Sequence, residues 1–303
     1  MALDRESHPP LISVIIPAWN ASATIRNAVS SVQNQTYRNL EIIIIDDNST
    51  DNTLSIIDSI SRKDARVKVF RVQENDPGRL NRRGVNINAG FAARNKGLEK
   101  ASGSWITFQD ADDFSLLNRV EIQKDLADFF GCLHLSTSCF WLESRWEGHH
   151  FVWTSAKNYI AQKPAIMKSR EIQLLANECR GVLSKHNLQG LFEWVPFRLK
   201  QHKVMGNLFF GSKTAYPGAA NSVFFHHSVI DKIRFRPLGG RIWPSGRGRG
   251  ADRDFSFNIA QSFGSSVFVD IPLYAWRTPT NFPTHWDLGA ILSKGRTANE
   301  RGA

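Results

Sequence analysis

The sequence predicts an α/β protein on a Rossmann-like, mostly parallel central sheet flanked by helices. Apolar runs of strand length alternate with amphipathic helical periods through the first third of the chain. Strand–helix–strand succession favours parallel neighbours. Each predicted strand there also ends in a polar cluster, on the rim where such sheets bind ligands.

Residues 11–16 form an apolar run that Pro17 ends, and Ile25, Val29 and Val32 then recur at helical spacing. Residues 40–45 are rich in β-branched side chains and read as a buried strand. A short helix follows over 53–61, then a more exposed strand over 67–72. Residues 86–101 read as a helix stopped by Ser102-Gly103, and 105–108 as the fourth strand. Further on, 116–129 and 169–186 read as helices, and 137–143, 221–225 and 267–271 as strands. Phe255, Ile259 and Phe263 mark one more helix. Trp141, Trp146, Trp153 and Trp194 fall in a less patterned middle, as pocket walls or as core.

With 42% hydrophobic and 22% charged residues, the composition excludes disorder and collagen. No stretch nears the roughly 20 apolar residues that span a bilayer. The first ten residues lack the apolar segment of a secretory leader, and Cys132, Cys139 and Cys179 lack metal-ligand spacing. A cytoplasmic protein with reduced thiols is expected. The net charge of +10 admits nucleic acid, an anionic membrane or an anionic substrate. No recognition helix or aromatic–basic interleaving supports nucleic acid.

The turn after Ile16 has no G-x-G-x-x-G, and the chain has no Walker A pattern. Asp110-Ala111-Asp112 offers the other way to hold a diphosphate. Two carboxylates at i, i+2 on a strand end point the same way, and Mn²⁺ or Mg²⁺ binds diphosphates through such oxygens. A second acidic cluster, Asp46-Asp47, ends the neighbouring strand.

Four blocks then carry a resemblance: residues 13–20 (SVIIPAWN), 41–51 (EIIIIDDNSTD), 92–97 (AARNKG) and 101–113 (ASGSWITFQDADD). In this order and spacing they resemble the family-2 inverting glycosyltransferases of the A-type fold, over roughly residues 10–115. The likeness resumes more weakly over about 221–277. The resemblance implies transfer of a sugar from a nucleotide diphosphate donor, by default a UDP-sugar, to a hydroxyl acceptor. It places Pro17, Asn20, Asp47, Arg94 and Asp110 on the donor. It places a metal on Asp112 with Asp110, and Asp113 at a position that some members use for it. Gly250-Ala251-Asp252-Arg253-Asp254 resembles the block carrying the catalytic base, which assigns Asp252, with an N-cap as its other reading. Ala251 stands where the family usually has glutamate. Asp254, Trp276 and Arg277 fall on the acceptor side. Q-x-x-R-W is missing, so a non-processive enzyme is expected.

The implied organisation is a tail at 1–10, a nucleotide-sugar-binding half at 11–115 and an acceptor-side insertion at 116–220. A base and acceptor half at 221–286 and a tail at 287–303 complete it. The loop at 239–250, with Arg241, Arg247 and Arg249, reads as a lid or as a solvated loop. Arg79, Arg82 and Arg83 face the same choice. His285 reads as a late metal ligand or as structural, and His226-His227 as acceptor-pocket lining or as packing. The expected acceptor is a saccharide or lipid-linked saccharide of the cell envelope, met at the inner membrane face by a basic surface. Two other readings stay open: a nucleotidyltransferase-like sugar-nucleotide enzyme and an inactive transferase-like binding protein.

Overall fold

The computed structural model describes residues 9–72, 90–143, 164–192, 194–200, 202–212, 214–244 and 250–278. Its central strands are the isoleucine-rich runs, because β-branched side chains suit a sheet buried on both faces. These are β1 (Ile12–Ala18) and β2 (Leu40–Asp46), joined by β3 (Val67–Arg71) and β4 (Trp105–Phe108). All pair in parallel, in the order β3-β2-β1-β4. β1 does not stop at Pro17 but runs to Ala18. Pairing with β4 ends at Ile15, so no β4 register partner is denied a bond by the missing proline N–H.

Alternation splits these side chains between two layers. Ile12, Val14, Ile16, Ile42 and Ile44 face α1 (Ile25–Gln33), α2 (Thr53–Ser61) and α4 (Arg119–Phe130). Ile15, Ile43 and Ile45 face α3 (Phe91–Lys100) and the late helix α9 (Ala251–Phe263). Burying each isoleucine contributes about 1.5–3 kcal/mol, which makes this block the rigid platform of the site.

Beyond β4 the sheet becomes mixed, in the order β8-β6-β9-β5. β5 (Phe114–Ser115), β6 (His134–Glu143), β8 (Phe224–His226) and β9 (Ser266–Thr278) form this half, and β7 (Ile166–Met167) pairs β9. The helix expected from 116 starts at Arg119. Phe114 and Ser115 are first captured by Ala275 and Tyr274, and the Leu116 N–H by the Leu273 carbonyl. β9 outruns its expected 267–271 span. It follows β6 in parallel through a bulge at Ser138, so the two strands share ten paired positions. α4 and β6, from the 116–220 span, are thus built into the main sheet and its cover.

The helix expected over 169–186 breaks into α5 (Ser169–Glu178) and α6 (Val182–Lys185). Gly181 lies against the Phe209 backbone, where a Cβ would sit 2.4 Å from its carbonyl, so the chain bends there. α6, a 3₁₀ turn at Gln189–Phe192, α7 (Phe197–Lys200) and α8 (Lys203–Phe210) enclose a small core of Leu183, Val195, Phe209 and Phe210. Asn221 is not in a strand. It sits in a 3₁₀ turn, Ala220–Ser222, ahead of β8. Among the described residues no helix is long and apolar enough to cross a membrane.

Candidate active site

Parallel β1, β2 and β4 bring residues 17–20, 47–51 and 109–113 to one rim. Asp110, Asp112 and Asp113 gather there, with carboxylate oxygens within 4.8 Å of one another. A turn, not strand alternation, makes them converge: Asp113 N–H donates to the Asp110 carbonyl at 3.2 Å. Asp112 is the exposed member and Asp113 the buried one. Burial, then the Asp110 and Asp112 charges, push Asp113 up to about 8. Although part of the Asp112 side chain meets solvent, the protein packed around its carboxylate strips water from it, and this and then the Asp110 charge likewise raise it. Three carboxylates this close repel one another, and their oxygens suit a hard divalent cation.

Arg94, on the first turn of α3, lies across this cluster. Its Nη2 donates to Asp110 Oδ1 at 2.6 Å, and its Nε lies 3.4 Å from Asp252 Oδ1. The guanidinium is 5% exposed, so it links the two acidic groups out of bulk water. Burial opposes its charge, but Asp252 and Asp110 outweigh that and raise its pKa. Asp252 is in the first turn of α9, and the N-cap position itself is held by Gly250. Burial raises its pKa, Arg94 works the other way, and Asp110 adds to the rise. A carboxylate shifted in this direction holds protons more readily than an ordinary one.

Sequence reasoning missed the groups that brace the cluster. Asn221 Nδ2 donates to Asp110 Oδ2 at 2.8 Å and to Asp113 Oδ2 at 3.4 Å, and its Oδ1 accepts from Trp276 Nε1 at 3.2 Å. Tyr274 Oη accepts from the Asp110 N–H at 2.9 Å, and the Arg119 guanidinium stands 5.4 Å from the Tyr274 ring. Arg119 is fully buried, which lowers it to about 10, and it donates to the Phe108 carbonyl at 3.0 Å. A buried arginine opening a helix beside a D-x-D was the one available signal.

The other expected residues are distributed unevenly. Pro17 and Arg94 both flank Gly90, at the head of α3. Asp47 is buried just past β2, its N–H on the Ala18 carbonyl. Asn20 is exposed and ties two loops together, its Oδ1 accepting from the Thr50 N–H at 2.8 Å. Arg277 donates its backbone N–H to Asp113 at 3.0 Å. Asp254 is 1% exposed and turned away from the aspartate cluster. It binds Arg236 through both oxygens and accepts from the Ile242 and Trp243 N–H groups. That clamps the start of the 239–250 loop, where Arg241 is buried and packs 5.9 Å from the Phe91 ring. His226 pairs with Trp105, at the end of β4 opposite Asp110, which removes it from the cleft. Arg79, Arg82, Arg83, Arg247, Arg249 and His285 lie outside the described residues.

The model of glycosyl transferase family 2 matches residues 13–129, the segment that supplies this rim up to α4. Over that segment the chain is similar to the family-2 glycosyltransferases. An uncharacterized glycosyltransferase of Haemophilus influenzae is 44% identical over 114 residues, 38% of this chain and 41% of the relative. The GalNAc(5)-diNAcBac-PP-undecaprenol beta-1,3-glucosyltransferase of Campylobacter jejuni is 39% identical over 104 residues, 34% of this chain and 30% of the relative. The chain thus aligns with less than half the length of either relative. The crystal structure of S. aureus TarS 1-349 in complex with UDP shares the fold. It has a TM-score of 0.54 at 15% identity and covers 88% of this chain and 60% of that one.

Proposed function

We propose that this chain is a family-2 glycosyltransferase and transfers a sugar from a nucleotide diphosphate donor, most simply a UDP-sugar, to a hydroxyl of a saccharide or lipid-linked saccharide of the cell envelope, with inversion. The observation that carries the reading is Arg94 set between the Asp110–Asp112–Asp113 cluster and Asp252. The Campylobacter relative named for an undecaprenol-linked acceptor and the UDP complex of TarS support the choice of substrates.

Asp110, Asp112 and Asp113 would hold Mn²⁺ or Mg²⁺, which when bound neutralises the leaving diphosphate. Pro17 and Asp47, on the adjoining strand ends, lie where the nucleoside of the donor would rest. Asp252 removes the proton of the acceptor hydroxyl as its oxygen attacks the anomeric carbon. The bond to the diphosphate breaks on the opposite face, which inverts the configuration. Arg94 keeps the base and the donor-side carboxylate in fixed register, and its charge opposes the rise that burial causes at Asp252.

Thermal-shift titration with UDP-sugars, with and without Mn²⁺, tests the reading, since a ligand that binds only native protein raises the midpoint. One donor should stabilise the chain in a Mn²⁺-dependent manner, and Asp112→Ala should abolish that dependence. Asp252→Asn should keep donor binding and lower transfer about 10²–10⁴-fold. Equal stabilisation by every nucleotide, or full transfer by the Asp252 variant, would sink it.

A further inference from the structure

A second surface, away from the cleft, gathers most of the exposed large apolar side chains among the described residues. The segment from α6 to α8 buries its own small core yet also carries large apolar side chains outward. Leu191 is 67% exposed, Trp194 78% and Leu199 57%, with Val182 and Leu188 also exposed. Three of these form one stripe. Leu191 N–H donates to the Leu188 carbonyl and Trp194 Nε1 to the Leu191 carbonyl, both at i+3 spacing. The 3₁₀ turn spans Gln189–Phe192, and Leu188 and Trp194 flank it, each held to Leu191 by one of these bonds. Among the described residues nothing covers this tryptophan and these leucines, and clustered exposed apolar groups mark contact surfaces.

Charge identifies that partner. In sequence, residues 179–211 carry five lysines and arginines against one acidic residue; Arg180 packs over the Trp243 ring and Lys200 over the Phe209 ring, so among the described side chains the exposed charge is that of Lys185. Lys185 and His186 are exposed just before the stripe. An apolar face carrying tryptophan within a basic rim matches an anionic bilayer surface. There the indole sits at headgroup level and the basic side chains meet the lipid phosphates. The chain just past α8 touches the helix that carries Asp252: Arg253 donates to the Ser212 carbonyl at 2.9 Å.

We propose that the Leu188–Leu191–Trp194 stripe and its basic rim dock this chain on an anionic membrane, with Arg253 tying the docked segment to the helix of the base. The proposal rests on the transfer to a lipid-linked acceptor for its purpose, not for its evidence.

Co-sedimentation of the full chain with phosphatidylglycerol–phosphatidylcholine vesicles and with pure phosphatidylcholine vesicles is the test. Binding is expected to the anionic vesicles alone, weakened by salt. Leu191→Ser with Trp194→Ser should lower it about tenfold or more. Lys185→Glu should lower it in a salt-dependent way. Unchanged thermal midpoints would show that the variants fold, as exposed positions allow. Binding that ignores lipid charge, or that survives the double substitution, overturns the proposal. So does sedimentation velocity showing that the stripe joins two copies of the chain, without lipid binding. UDP-sugar thermal shifts, measured without lipid, separate failure of this surface from failure of the transferase reading.

Discussion

At the scale of single residues, the site is an exercise in keeping carboxylates close. Asp110 is held from three sides, by Arg94, by Asn221 and through its N–H by Tyr274. Asn221 touches both Asp110 and Asp113 through its side-chain amide while being held by Trp276. It therefore sets the spacing of the carboxylates without adding charge. Asn221→Ala should weaken Mn²⁺-dependent donor binding about 10- to 100-fold, the usual effect of losing a group that orients metal ligands. Isothermal titration with Mn²⁺ and donor would measure it. An unchanged affinity would reduce Asn221 to packing. Asp254 teaches the reverse lesson. Two places along α9 from the base, it has four donors of its own and serves the 236–243 loop.

At the scale of elements, α3 carries Arg94 and must lie close on β1. Gly97 permits it, because a Cβ there would fall 2.3 Å from Ile15 Cγ2. Gly97→Ala gains about 1 kcal/mol of helix propensity but meets a stiff β-branched side chain, at a cost of about 1–3 kcal/mol. The expected net change is a destabilisation of about 1 kcal/mol, readable by urea unfolding. In an Ile15→Ala background the same substitution should become neutral or stabilising. If the sign does not move, the close contact is not the cause.

This contrast also explains what was legible beforehand. β1, β2, β4, α1, α2 and the D-x-D are encoded locally, by runs and periods of a few residues. β6 and β9 are not: His134 pairs with Ser266, and no local pattern announces that register. Asn221 joined the site only because a 3₁₀ turn aims it across more than a hundred residues of sequence at Asp110. The break after α5 likewise needed the approach of Phe209 to Gly181, which helical periodicity cannot foresee.

At the scale of the molecule, the two rims of the parallel sheet have separate duties. The carboxyl rim holds the acidic cluster. The opposite rim is tied by Glu41, which starts β2 and receives Ser13 Oγ at 2.6 Å, Lys68 Nζ at 2.7 Å, Ser102 N–H at 2.7 Å and Gly103 N–H at 3.1 Å. Burial works to raise this carboxyl, but Lys68, Ser13 and Ser102 together bring it from 4.5 down to about 2. The depressed folded value means that the stabilisation is complete above 4.5. It declines as acid carries the protein through that window toward about 2. Discounted for the half-exposed Lys68, it amounts to about 2 kcal/mol. Glu41→Gln should therefore lower stability by about that much at neutral pH, with the gap to wild type closing as the pH falls below 4.5. Because Glu41 lies at the far end of β2 from Asp47, the same variant should bind donor normally at neutral pH. Denaturant unfolding across the acidic range, paired with donor titration at neutral pH, measures both. A gap that stays constant with pH would mean that shape, not charge, holds this rim, and weakened donor binding would mean that the two rims are coupled through the sheet.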